Sequence, residues 1–173
     1  MQDFDFLDNE YNFAGLSLIE FLPTSYVEEI PDAVNLMVED EITLTGINRF
    51  YRMYATLETM RLSYSQQFTE HGPMYDVVVQ GFIPKLKIEN DYNFEQLKDQ
   101  QMVVICNDEN GNRRIIGSVL VGAIFSIDAD TAAQYANRNG TAVRFNWQSD
   151  HIPYYYDIEL PAGGAEDIIE GEE

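Results

Sequence analysis

The pattern of apolar and polar positions along the chain is mostly that of strands. Residues 16–22, LSLIEFL, alternate imperfectly and are stopped by Pro23, which predicts a short strand. The next stretch offers Thr24 or Ser25 as a helix cap with Glu28 behind it, but Pro31 limits any helix there to about one turn. Between residues 41 and 68, EITLTG and RFYRMYATLETMRLSYSQQF place tyrosine, threonine and apolar side chains near period two, predicting two or three strands. YDVVVQGFIP, residues 75–84, is a β-branched run closed by Pro84. The period then changes. In NDYNFEQLKDQQ, Asn90 or Asp91 can cap, and Phe94 and Leu97 fall three apart, so one short helix is predicted over residues 93–101.

Two apolar runs, residues 102–106 and 113–119, flank the polar knot NDENGN, and VGAIFSID adds a third strand behind Gly122; together they predict a meander. TAAQYANRNG predicts a helical turn or a long loop ending at Gly140. AVRFNW and YYYDIEL follow as strands, with QSDHIP as a hairpin connection between them. Eight to ten strands against one helix predict a mainly β fold, a β-sandwich or partly closed β-barrel with one short α-helix packed on it. The ends depart from this pattern. The first fifteen residues interleave Phe4, Phe6, Tyr11 and Phe13 with acids, which predicts an extended N-terminal arm whose aromatics anchor in a groove of its own domain or of a neighbour. PAGGAEDIIEGEE mixes glycine and acids without periodicity, an acidic C-terminal tail that is flexible or ordered by a partner. The expected organisation is an arm over residues 1–15, one β-rich domain over 16–160 and the tail over 161–173, with no internal repeat.

Composition sharpens this picture. A chain of 173 residues, 45% hydrophobic and 13% aromatic, is long and apolar enough for one well-buried core. Thirty acidic against ten basic side chains give a formal charge of −20, which repels phosphate backbones and argues against a groove that grips nucleic acid by ion pairing. It leaves open a wall past which DNA slides without sticking. The longest apolar runs are too short for a membrane helix, and MQDFDFLDNE lacks the basic and apolar parts of a signal peptide, so a soluble, cytosol-made protein with no membrane partner is expected. Cys106, alone in the chain and inside VVIC, is expected to be a buried, inert thiol.

Candidate chemistry is sparse. A calcium loop anchored on Gly111 would need an acid where Cys106 stands and a glutamate where Gly117 stands, so only Asp108 and Asn110 fit. The knot reads instead as a hairpin tip, with Asn110 and Gly111 supplying positive φ. His71 and His151 lie eighty residues apart with no second cysteine, which is no zinc spacing. Ser149 and Asp150 precede His151, but a triad is assembled by a fold rather than by sequence neighbours. The nucleophile elbow, the P-loop and the dinucleotide fingerprint are all missing. The pairs Glu28/Glu29 and Asp128/Asp130 are read as solvated charges. No cofactor, metal or catalytic residue is assigned. The tyrosine-rich pieces FYRMYATLETM and YYYDIEL fit core and interface better than a ligand-stacking platform, which makes Tyr51, Tyr54, Tyr75, Tyr154 and Tyr155 the candidate anchors. The tip residues Asp108, Asn110, Gly111 and Asn112 are the candidate intersubunit contact or lumen loop, since a sheet of this kind has edges to cover or pair.

The succession of YDVVVQGFIPK, NFEQLKDQQ, MVVICNDENGNRRIIGS, GAIFSID and TAVRFNWQSDHIPYYYD resembles small proteins encoded among the virion structural genes of phages and prophages of Bacteroidota. The shared signature is a strand-turn-strand with a D-x-N-G tip, here residues 108–111, followed by (L/I)-(I/V)-G-(S/T), here residues 115–118. The resemblance spans residues 75–156, about half of the chain. It implies a tail or neck component, namely a tail tube protein, a tail terminator or a head-tail connector. Such subunits are β-sandwiches or barrels with a helix against one side, assembled as homo-oligomeric, typically hexameric, rings whose loops and arms reach the next ring. The implied partners are further copies and neighbouring virion proteins, the implied place is the virion after synthesis in the host cytoplasm, and DNA passes without specific binding. A charge of −20 repeated around a ring would have to be overcome by strand pairing or apolar interfaces. The alternative is a monomeric β-sandwich module that binds carbohydrate or protein.

Overall fold

The computed structural model describes residues 13–56, 58–70, 72–131 and 139–160. The chain runs through β1 (Leu16–Pro23), a 3-10 turn (Thr24–Tyr26), β2 (Val27–Glu29), β3 (Met37–Val38), β4 (Thr43–Leu44), β5 (Tyr51–Met53), β6 (Arg61–Thr69) and β7 (Gly72–Pro84). It continues through α1 (Ile88–Leu97), β8 (Gln101–Asp108), β9 (Arg113–Ile116), β10 (Ala123–Asp130), β11 (Gly140–Ser149) and β12 (Tyr154–Tyr156). The fold is mainly β, with one helix and no closed barrel among the described residues.

β8 organises the molecule. It pairs with β1 along one edge and with β9 along the other, and both of its faces are covered. Met102, Val104 and Cys106 face one apolar cluster, together with Ile19, Val77, Val79, Phe125, Val143 and Phe145. Val103 and Ile105 face a second, with Leu22, Val38, Ile42, Phe50, Ile115 and Tyr156. A strand covered on both sides needs no polar alternation, which is why MVVIC is an unbroken apolar run. Each such side chain contributes about 1.5–3 kcal/mol by leaving water. The first cluster fills a sandwich between β6-β7-β11-β10 and β5-β1-β8-β9-β12-β3. The second lies on the far side of the latter half, beneath the small β2–β4 ladder and residues 30–50.

Three expectations need correction. β8, β9 and β10 do not form a meander, because β10 bonds β8 and β11 rather than β9. β9 and β10 lie end to end on one edge of β8, Ile116 opposite Val104 and Ala123 opposite Met102, with residues 117–122 extruded between them. Gly117 makes the excursion possible: its φ is +92° and a Cβ there would stand 2.6 Å from the Met102 carbonyl oxygen. The Trp147 indole N–H donates to the Val121 carbonyl (3.0 Å) and ties the excursion to β11. Likewise β12 makes no hairpin with β11. Residues 150–153 carry the chain across to the other half, where β12 pairs antiparallel with β9 and parallel with β3. The helix starts earlier than predicted, with Lys87 in the cap position and no side-chain cap bond, so Asn90 and Asp91 lie inside it. Glu89 and Asp91 in its first turn suit the helix dipole, and Phe94 packs on Phe125 at 5.9 Å between ring centroids.

Glu20 is a carboxylate buried on the second-cluster side of β1. One oxygen accepts from Arg52 Nε at 3.0 Å, and the other lies 3.9 Å from Arg113 Nη2. Arg113 also donates to the Ile158 carbonyl (2.7 Å) and to Asn107 Oδ1 (3.1 Å), so one small polar group joins β1, β5, β8, β9 and the segment after β12. The sandwich narrows at the seam between β1 and β6, where the Leu16 N–H donates to the Met60 carbonyl (3.2 Å). Beyond that point, among the described residues, β6 pairs only with β7. The expected turn or loop before Gly140 falls mostly outside the described residues, and the acidic tail wholly so.

Candidate functional site

The hairpin tip is built from its own residues. Asp108 Oδ1 accepts from the backbone N–H groups of Asn110 (2.9 Å) and Asn112 (2.7 Å), and Oδ2 accepts from Asn112 Nδ2 (2.9 Å). Both carboxylate oxygens are therefore engaged in shaping the turn. The positive φ falls on Gly111 alone, at +86°, and not on Asn110 as expected. Asn110 has a different task. Its Oδ1 accepts from the Phe13 N–H and its Nδ2 donates to the Phe13 carbonyl, each at 2.9 Å, so one amide clamps both backbone groups of the arm's root. A Glu109 N–H bond to the Gly15 carbonyl (3.3 Å) continues the contact. The tip's nearest neighbour is thus its own chain.

Beside this clamp runs a groove of about 250 Å³, lined on one side by Phe13, Leu16, Asp108 and Asn110 and on the other by Arg61, Leu62 and Tyr64 of β6. Arg114 closes its end. The guanidinium lies 4.1 Å from the Tyr155 ring centroid and 5.8 Å from that of Tyr64, and it donates to the Tyr155 hydroxyl (2.6 Å) and the Pro153 carbonyl (3.2 Å). The β6 wall is, among the described residues, a strand paired on one side only: nine residues in unbroken register with β7, without proline, lysine or bulge. Eight of its nine side chains are exposed, Phe68 to 83%.

The other candidate anchors are dispersed. Phe4, Phe6 and Tyr11 lie outside the described residues. Tyr51 on β5 is exposed, its ring 6.1 Å from Phe21 and near Arg49, and Tyr54 beyond it is exposed as well. Tyr75 is half-buried against the first cluster. Tyr154 stacks on His151, 4.0 Å and 2° apart, with Trp147 edge-on to the imidazole at 5.4 Å. Burial first, and then the carboxylates of Asp150 and Asp32, push its phenol above the ordinary range. The Ser149 hydroxyl accepts from the backbone of His151 (3.2 Å), and the imidazole Nδ1 meets the Ile152 carbonyl (2.8 Å), an arrangement that shapes a turn rather than relays a proton. His71 is outside the described residues. Cys106 is fully buried, and burial pushes its thiol well above the ordinary value.

Of the predicted site residues, the fold brings together Phe13, Asp108, Asn110, Asn112 and, through Arg114, Tyr155. Arg61, Tyr64 and Arg114 were missed. One signal pointed to Arg114: it belongs to the only adjacent basic pair in an acid-rich chain, directly behind the tip. No protein-family model matches the chain, and no match is found among curated proteins or among solved structures.

Proposed function

We propose that the chain is a structural subunit of a phage virion, a tail tube, tail terminator or head-tail connector protein. Copies assemble into a homo-oligomeric ring or tube in the tail or neck, and DNA passes through it without being specifically bound. The observation that carries this reading is the β6 edge, paired on one side only among the described residues, beside a groove that already holds the root of the chain's own arm. Among the described residues β6 is paired on one side only, and alternate residues point their backbone donors and acceptors away from β7, which is the side another strand can pair with. The charge of −20 supports conduction over binding, because a like-charged wall keeps the polymer moving. The resemblance over residues 75–156 supplies the particle context. Neighbouring virion proteins are the further partners.

Light scattering after size exclusion, together with negative-stain imaging, tests the reading. Rings or tubes at micromolar concentration are expected; a stubborn monomer at high concentration would refute it. The monomeric result would favour the module reading, in which the groove between Tyr64 and Arg114 receives a carbohydrate or an extended peptide.

A further inference from the structure

We propose that residues 157–160, which follow β12, form a releasable strap, and that Glu20 is a second seat for the arginine that latches it. This goes beyond the assembly reading and does not depend on it. Ile158 and Leu160 are half-buried against the second cluster. Arg113 holds the segment: its Nη1 donates to the Ile158 carbonyl at 2.7 Å. Its Nε donates to Asn107 Oδ1 at 3.1 Å, so the guanidinium is also tied to β8.

Glu20 stands on β1 opposite Ile105 of β8 and Arg52 of β5, and is 3% exposed. Oε1 accepts from Arg52 Nε, whereas Oε2 is buried and, among the described residues, accepts no hydrogen bond. It lies 3.9 Å from Arg113 Nη2, close enough for attraction and about 1 Å too far for a hydrogen bond. A buried carboxylate oxygen without a donor costs stability, so a guanidinium that stops this short of it is held back by a competing bond. The Arg113 bond to Asn107 stays within the β8–β9 ladder. The bond to Ile158 leaves with the segment.

When residues 157–160 lift, Nη1 loses its acceptor and the guanidinium is free to turn Nη2 onto Oε2. A charge-assisted bond then replaces the one given up. Release therefore costs less than the lost bond and apolar contacts alone, and it uncovers part of the second cluster while Arg113 and Glu20 stay paired. Had Glu20 only anchored Arg113, removing its charge would loosen the strap. As a competitor for Arg113 it acts the other way. The carboxylate attracts the guanidinium in both states but from closer range in the released one, so removing the charge disfavours release.

The test is native-state proteolysis of the full chain with a glutamate-specific protease. Cleavage after Glu159, inside the strap, requires the strap to lift and is followed by mass spectrometry. Glu20→Gln should slow that cleavage about tenfold, even though the chain as a whole unfolds more easily, and Arg113→Ala should speed it. In the Arg113→Ala background Glu20→Gln should change nothing, because the competitor has no latch left to draw away. Where the amide variant does not fold, Glu20→Met, which fills a similar volume without a polar group to satisfy, is read in the same way. Faster or unchanged cleavage on loss of the Glu20 charge would overturn the proposal and leave Glu20 a structural anchor. An equal slowing with and without Arg113 would overturn it as well.

Discussion

β8 and β6 belong to one sheet and differ by a single residue in length, eight against nine, yet they are opposites. β8 pairs with β1, β9 and β10, and residues 102–106 are buried on both faces. β6 pairs with β7 alone among the described residues and exposes almost every side chain. β8 is ordered by the apolar area it buries. β6 is ordered by its ladder to β7, which β11 holds from the other side, and by polar contacts such as Arg61 with Gln80 (3.3 Å) and Gln67 with Asp76. One strand makes the fold and the other presents a surface, so damage to them should separate stability from assembly.

The largest effect is expected in β8. Ile105→Ala should destabilise the chain by about 3–4 kcal/mol, read as a lower denaturation midpoint, because a fully buried isoleucine between β1 and β9 leaves a cavity the second cluster cannot close. A loss below about 1 kcal/mol would mean that β8 is not the organising strand. Next comes Glu20→Ala, at about 2 kcal/mol. Removing a carboxylate from a buried ion pair costs about 3–5 kcal/mol where both partners are buried, but Arg52 is 61% exposed and can rehydrate. A matching loss in the Arg52→Ala variant, non-additive with the first, would show that the two act as one unit.

Smaller effects test the junctions. Gly111→Ala should cost about 1 kcal/mol from backbone strain alone, since φ is +86° and a Cβ there meets nothing within 4 Å. The tip turn would have to be remodelled, which hydrogen exchange at Asn110 and Asn112 would report. Tyr156 gives a pH signature. Its phenol is raised above the usual value of about 10, first by burial, so the unfolded chain releases that proton before the folded one. Its contribution is complete below about pH 10 and is lost as pH rises through the raised value. Tyr156→Phe should cost about 0.5–1 kcal/mol at neutral pH, where the Ile42 N–H loses its acceptor at 3.5 Å, and should flatten the alkaline fall in melting temperature. An unchanged alkaline fall would contradict this account.

The same contrast explains what could be read in the chain before folding. The run MVVIC announces a doubly covered strand because burial on both faces is written in consecutive residues. The tip is legible because the Asp108 carboxylate shapes it through residues two and four positions further on. The Ala123–Met102 pairing is not, because nothing local says that β10 returns to β8 after an excursion instead of pairing with β9. Nor is the groove: Arg114 reaches Tyr64 fifty positions away and Tyr155 forty-one away, contacts fixed by register between strands. The expected N-terminal cap failed because the chain leaving β7 already enters the helix at Lys87, ahead of the polar residues that resembled a start.

The smallest expected effect on stability is the sharpest test of the comparison. Ser65 sits mid-strand on β6, opposite Asp76, with its side chain exposed. Ser65→Lys should leave the melting temperature within the shift produced by about 0.5 kcal/mol, because an exposed substitution away from caps and cores changes little, and the new ammonium lies across from a carboxylate. A lysine on an open edge nonetheless opposes the docking of another strand by holding a hydrated charge where the backbone of a partner must approach. Self-association should therefore weaken at least tenfold by light scattering while the fold persists. If assembly survives Ser65→Lys unchanged, β6 is simply a solvated edge and its difference from β8 concerns the fold alone. If assembly fails while the melting temperature holds, the two strands have divided the work of one sheet.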